Sequence, residues 1–321
     1  MDALYNAAKP RVVAIGGPTA TGKTALSVAL AKRFGGEIIS ADSMQIYQGL
    51  DVGTAKVTPE EMQGVPHHLV GFLAPEQAFS VADFTTLAGK TITQLTAQGK
   101  LPLVVGGTGL YITSLLNGIG FTPEKVDPAI RQELQARLQA EGSQALYAEL
   151  AAVDPGYAAK VHPNNTPRVI RALELYRATG RKMSAEREAA RPAEKPYCSL
   201  CLCLTCRDRT LLYQRIDTRC DRMMQSGILE EAKLVYDHRD TYRTAAQAIG
   251  YKELVPYLEG RESLEICLDT LKRASRNYAK RQLTWLRRDS RVHWLQYDAP
   301  EDFSGILQQV TEILSERGVT Y

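Results

Sequence analysis

One eight-residue segment constrains this chain more than any other: Gly17-Pro18-Thr19-Ala20-Thr21-Gly22-Lys23-Thr24. It satisfies the spacing G-x-x-x-x-G-K-[ST] at every fixed position. Such a loop needs an apolar strand before it and a helix after it, and both are legible. Residues 11–16 (RVVAIG) form a short apolar run of the kind buried in a parallel sheet. Residues 23–34 place Leu26, Leu30 and Phe34 four apart, a helical spacing. The glycines let backbone N–H groups approach phosphate oxygens, and the helix N-terminus adds positive partial charge. Lys23 supplies a mobile cation, and the Thr24 hydroxyl suits Mg²⁺. The segment is therefore expected to hold a diphosphate or triphosphate, as ATP-binding and other nucleotide-binding loops do, with Mg²⁺ as cofactor.

Further strand signals at 37–39 and 101–105, interleaved with helical sequence, indicate an α/β fold with helices on both faces of the sheet. Composition shifts after Gly120. Residues 128–191 are rich in Ala, Gln, Glu, Leu and Arg, with helical periodicity over 128–140 and 166–179. Pro123, Pro128, Pro155, Pro163 and Pro167 are expected to break this region into short helices. Strand-like sequence returns at 197–204, followed by long helices over 208–237 and 262–288. The expected organisation is a core of residues 1–120 and 195–321 interrupted by a helical insertion, 121–194.

The phosphate loop alone does not name a reaction. In many P-loop ATPases an apolar strand ends in a metal-binding aspartate. Here Leu103-Val104-Val105 runs into Gly106-Gly107-Thr108-Gly109, with no acid. The carboxylate nearest a strand end is Asp42, after Ile38-Ile39-Ser40-Ala41. Strand ends face the ligand crevice in open α/β sheets, so Asp42 reads as a base, a metal partner, or a turn or capping aspartate.

The formal charge is only +3, too mild to assign a partner, but its distribution is uneven. Residues 271–291 hold eight bases against Asp289 alone, with Tyr278 and Trp285 interleaved. Cations for phosphate and flat rings for unstacked bases suit an RNA loop, while a solubilising helix face is the plainer reading. Helical spacing is expected to bring Arg273, Arg276, Lys280 and Arg287 near one face. Arg168, Arg171, Arg177, Arg181 and Lys182 form a second basic set.

Cys198, Cys201, Cys203 and Cys206 have a spacing that suggests zinc, yet they lie on strand-like sequence. Alternation is expected to point Cys201 and Cys203 to one face and Cys198 and Cys206 to the other, so packing thiols are the preferred reading. His67-His68 beside Pro66 reads as a turn. No stretch approaches the roughly 20 apolar residues of a membrane span. The first residues lack the basic and apolar regions of a signal peptide, so a cytoplasmic chain with reduced cysteines and no membrane association is expected.

Several segments together resemble the tRNA dimethylallyltransferases, the tRNA isopentenyltransferase family: 16–24 (GGPTATGKT), 37–56 (EIISADSMQIYQGLDVGTAK), 66–71 (PHHLVG), 79–84 (FSVADF), 104–112 (VVGGTGLYI), 162–174 (HPNNTPRVIRALE), 248–253 (AIGYKE) and 280–287 (KRQLTWLR). The resemblance implies a P-loop kinase-like parallel-sheet core with a helical insertion. It implies transfer of a dimethylallyl group from dimethylallyl diphosphate to N6 of adenosine 37, in the anticodon stem-loop of tRNA. It assigns Asp42 as the base, Lys23 and Arg219 as cations on the diphosphate, and Thr108 to the channel. Arg215 and Arg222 share nearly the same helix face as Arg219, so that choice rests on the resemblance. The tRNA contacts it implies are Asp42, Ser43, Met44 and Gln45; Pro167, Arg168, Val169, Ile170 and Arg171; Gly250, Tyr251, Lys252 and Glu253; and Lys280, Arg281, Gln282, Leu283, Thr284, Trp285, Leu286 and Arg287. A monomer is expected. A P-loop small-metabolite or nucleotide kinase is the main alternative, and a non-catalytic RNA binder the second.

Overall fold

In the computed structural model of the chain, the described residues are 9–121, 127–299 and 302–319. Pro123 and the first residues of the chain, on which two of the expectations above fall, lie outside them. The described residues form two compact units. One comprises residues up to Leu116 together with Pro196 onward, and the other spans Asn117–Lys195.

The first unit is built on a parallel sheet of six strands: β1 (Arg11–Gly16), β2 (Gly36–Ser40), β3 (His67–His68), β4 (Leu101–Val105), β5 (Cys198–Thr205) and β6 (Val292–Gln296), in the order β3-β2-β4-β1-β5-β6. Their apolar runs follow from burial on both faces. Val13, Ile15, Leu103, Leu202 and Leu204 pack on one side, with α1 (Lys23–Phe34) and α14 (Asp302–Glu316). Val12, Ala14, Ile39 and Val104 pack on the other, with α3 (Val81–Ala97) and α4 (Gly109–Leu116). A third cluster gathers Cys203, Cys206, Ile216, Tyr251 and Leu283 where α10 (Arg209–Gln225), α11 (Ile228–Asp237) and α13 (Leu264–Leu286) meet the sheet. The short α2 (Pro59–Met62) and α12 (Val255–Leu258) complete this unit.

The second unit is helical: α5 (Pro128–Glu141), α6 (Ser143–Val153), α7 (Pro155–Ala158), α8 (Thr166–Thr179) and α9 (Met183–Ala189). Leu134, Leu146, Leu150, Val169, Ile170 and Leu173 form its core. Pro128, Pro155 and Pro167 lie in the first turns of their helices. There the missing N–H costs nothing, so these prolines start helices rather than break them.

Four expectations change. The sequence 208–237 is two helices, because Gly227 sits between α10 and α11 with φ +97°. His67 and His68 are not a turn: they pair with Ile38 and Ile39 as an edge strand, and His68 Nε2 meets Glu37 Oε2 at 2.7 Å. Cys206 does not oppose Cys203. It lies one residue beyond β5, where strand alternation no longer applies, and packs into the same cluster. Arg276, expected among the cations suited to phosphate, forms an ion pair with Asp217 of α10.

Candidate active site

The carboxyl ends of β1, β2 and β4 are laced together. Ala41 N donates to Val105 O at 2.8 Å, Gly106 N to Ile15 O at 3.1 Å, and Thr108 N to Ala41 O at 3.1 Å. These bonds gather the three loops that leave the strands. The phosphate loop is one of them. Gly17 has φ +142°, and a Cβ there would lie 2.3 Å from Leu204 O, so no other residue fits. The Tyr297 hydroxyl, one residue beyond β6, donates to Thr21 O at 2.8 Å and props the loop.

The loop ends at Gly22, which caps α1 in a left-handed conformation without any side-chain cap. Helices α3, α10 and α13 instead carry side-chain N-caps, from Ser80, Asp208 and Ser263. The first turn of α1 therefore has backbone N–H groups that no cap serves, in the one place where the sequence anticipates a phosphate.

A cavity of about 370 Å³ opens at these strand ends. Its walls include Thr19, Lys23 and Thr24 of the phosphate loop, Asp42 to Gln45 after β2, Gly106 and Gly107 after β4, and Arg219 of α10. Lys23 Nζ donates to Pro18 O at 2.7 Å, closing the loop on itself. Arg219 makes no hydrogen bond or ion pair among the described residues. Burial, and then the nearby Arg219 cation, lower the Lys23 ammonium to about 8, while Asp42 opposes the shift. Burial likewise lowers Arg219, with Asp42 the main opposing charge. Lys23 and Arg219, two of the four lysine and arginine side chains lining this space, thus face one carboxylate, an excess of positive charge that an anionic ligand would relieve.

Asp42 is held by its own turn. Its Oδ1 accepts from Met44 N at 2.9 Å and Gln45 N at 3.3 Å, while Oδ2 makes no hydrogen bond among the described residues. One oxygen fixes the carboxylate and the other is left for chemistry. Thr108 Oγ1 accepts from Ser43 N at 3.1 Å, tying the glycine-rich loop after β4 to the same turn. Helix α13 packs on this loop directly. Gln282 Nε2 donates to Gly107 O at 2.9 Å, and Trp285 Nε1 donates to Thr113 Oγ1 at 3.0 Å. A Cβ at Gly107 would meet Gln282 at 2.1 Å, and one at Gly109 would meet Trp285 at 2.4 Å. These glycines are docking faces for a helix.

The match to known families now has a geometric setting. The profile described as IPP transferase matches residues 45–289, and one described as isopentenyl transferase matches residues 10–70. The chain belongs to the IPP transferase family. It is 49% identical to the tRNA dimethylallyltransferase of Bacillus subtilis over 92% of this chain and 94% of that protein. The crystal structure of the tRNA isopentenylpyrophosphate transferase from Bacillus halodurans superimposes with a TM-score of 0.70 at 45% identity, covering 97% of this chain and 98% of that one. A eukaryotic dimethylallyltransferase described as acting on tRNA gives 0.80 at 30% identity, covering 96% of this chain and 79% of that one.

Within this member of the IPP transferase family, the structure brings Lys23, Thr24, Asp42, Ser43, Met44, Gln45, Arg219, Lys252, Arg281 and Gln282 to one cavity. Arg215 is occupied elsewhere: it donates to Asp298 O at 2.6 Å and lies over the Tyr297 ring. Arg222 is exposed. The geometry thus separates three arginines that sequence spacing could not. It also narrows the expected RNA-contacting set. The side chains of Val169 and Ile170 are core of the helical unit, and those of Tyr251, Glu253, Leu283 and Leu286 are buried in the other. Arg171 pairs with Glu174. Arg168, Lys280, Arg281, Thr284 and Arg287 remain exposed.

Several cavity residues were not assigned to the site from the sequence. His67, Met223 and Ile249 line it, as does Tyr278, whose phenol burial and then Asp42 push up to about 12. Tyr278 stood in the basic-aromatic stretch and could have been found there. His67 and Ile249 stood in the segments 66–71 and 248–253 that carry the resemblance, whereas Met223 has no motif of its own and only the placement of α10 brings it in.

Proposed function

We propose that the chain is a tRNA dimethylallyltransferase, moving a dimethylallyl group from dimethylallyl diphosphate to N6 of adenosine 37 and releasing diphosphate. The observation that carries this reading is the pairing, in one cavity, of Lys23 and Arg219, which form no ion pair among the described residues, with a carboxylate that has one unengaged oxygen. Membership of the family and relatives named for this activity support the same reading.

The chemistry follows from charge. As the allylic C1–O bond breaks, its electron pair moves to the diphosphate, and negative charge grows on the leaving group. Lys23, Arg219 and the N–H groups at the start of α1 are aimed where that charge collects. The adenine N6 lone pair forms the new bond to C1. The nitrogen then sheds one proton, which Asp42 Oδ2 accepts. An adenine within a stacked loop cannot present N6 to a recessed carboxylate, so the base must be extruded into the cavity. Thr108 and Gln282 hold the loop facing it. The apolar residues Ile216, Met223, Ile249 and Leu271 give the prenyl group a place away from water.

The Thr24 hydroxyl, on the cavity wall at the start of α1, fits a hard cation held chiefly by phosphate and water. Thr24 would hold Mg²⁺ through its hydroxyl, and the ion would add charge neutralisation at the diphosphate. No helix among the described residues is long and apolar enough to cross a membrane. We infer a cytoplasmic, monomeric enzyme, because unmodified tRNA is its substrate and the cavity is built within a single chain.

The test is an incubation with radiolabelled dimethylallyl diphosphate and unmodified tRNA, beside one with ATP and a panel of small metabolites and nucleotides. Label in RNA at adenosine 37 supports the proposal. ATP turnover without RNA labelling supports the kinase.

A further inference from the structure

Resting on that reading, we propose that Glu231 is a positioning residue that sets the catalytic carboxylate from the far side of the cavity wall. Glu231 belongs to α11 and does not line the cavity. Its carboxylate accepts from three consecutive backbone N–H groups: Asp51 N, Val52 N at 3.2 Å and Gly53 N at 2.6 Å. The Tyr251 hydroxyl donates to its Oε2 at 3.1 Å. Four donors on one carboxylate make a rigid clamp, because each bond to an ionised acceptor is stronger than a neutral one.

The clamped turn leads straight to the site. Gly53 packs under the Tyr251 ring, where a Cβ would approach to 2.4 Å. The next two carbonyls, Thr54 O and Ala55 O, accept from Gln45 Nε2 at 3.4 and 2.9 Å. Gln45 N in turn donates to Asp42 Oδ1 at 3.3 Å. The relay is therefore Glu231, turn 51–53, carbonyls 54 and 55, Gln45, Asp42. Each link is a hydrogen bond or a covalent neighbour, and no link touches the phosphate loop. Loss of the clamp should shift the base without disturbing the diphosphate, and a misplacement near 1 Å costs about a hundredfold in rate.

The experiment is a double-mutant cycle read by single-turnover prenyl transfer to tRNA, with dimethylallyl diphosphate binding measured beside it. Glu231→Gln keeps the shape but replaces one acceptor oxygen with an NH2 that faces at least one of the backbone N–H groups. Gln45→Met keeps length but removes the Nε2 link. Each is expected to slow transfer about ten- to a hundredfold while diphosphate affinity stays within about twofold. The double variant should be little slower than the slower single one, because both cut the same relay. Glu231→Asp should restore part of the rate. Additive losses, or Glu231→Gln with wild-type transfer, would overturn the relay. If Glu231→Gln does not fold, a full-rate Gln45→Met variant alone overturns it. A wild-type enzyme that labels no RNA would overturn the underlying functional reading instead.

Discussion

Four arginines of the helical unit and two cations of the cavity meet opposite fates. In the helical unit Arg131 and Arg171 both bind Glu174, Arg137 binds Glu141 and Glu149, and Arg177 binds Glu133 and Glu149. Positive charge there is matched by acids a few ångströms away. In the cavity Lys23 has only a carbonyl, and Arg219 has no bonded partner among the described residues. Matched charges hold a fold together; unmatched, buried ones raise its energy until something anionic arrives. The difference separates stabilising charges from ligand-binding charges without any appeal to motif.

Three predictions sharpen or break that contrast. The largest effect is at the base. Asp42→Asn should cut single-turnover transfer about 10²- to 10⁴-fold, the span of general-base contributions, while dimethylallyl diphosphate still binds. A rate near wild type would remove Asp42 from the mechanism. Next comes a matched charge. Glu174→Gln leaves two arginines facing a neutral amide and should destabilise the helical unit by about 1–2 kcal/mol, discounted because both arginines are partly exposed. Urea unfolding followed by circular dichroism reads this, with diphosphate affinity unchanged. Affinity that fell with stability would erase the distinction between the two charge sets.

The smallest effect is a pH dependence. Binding a polyanion raises the pKa of Lys23 above its free value of about 8. Its contribution is then complete below pH 8 and declines as pH rises through the free and then the bound pKa. Diphosphate affinity titrated calorimetrically from pH 7 to 10 should fall by several-fold, and Lys23→Met should flatten the curve. A flat wild-type curve would mean that Lys23 does not hold the ligand.

Much of this was legible in the sequence because it is local. The phosphate loop, its flanking strand and α1 lie within 24 residues and follow from spacing and periodicity alone. Asp42 was reachable because strand ends face the crevice. The choice of Arg219 over Arg215 was not legible from spacing. It depends on Tyr297 and Asp298, some 80 residues away, which draw Arg215 off. Gln282 and Trp285 looked like RNA contacts beside their basic neighbours, yet the structure shows both bound to the loop and helix after β4. Helical periodicity could not reveal that, since the glycines receiving them announce only small size. Gly227 was visible as a residue but not as a helix break, because glycine inside a helical pattern is often tolerated.

The central claim is that the unpartnered cations exist for a diphosphate. Its most direct test is Arg219→Gln, measured for both dimethylallyl diphosphate affinity and melting temperature. The account predicts affinity reduced about a hundredfold, with the melting temperature unchanged or raised as an unmatched buried charge is removed. A lower melting temperature with affinity intact would make Arg219 a structural residue and contradict the account.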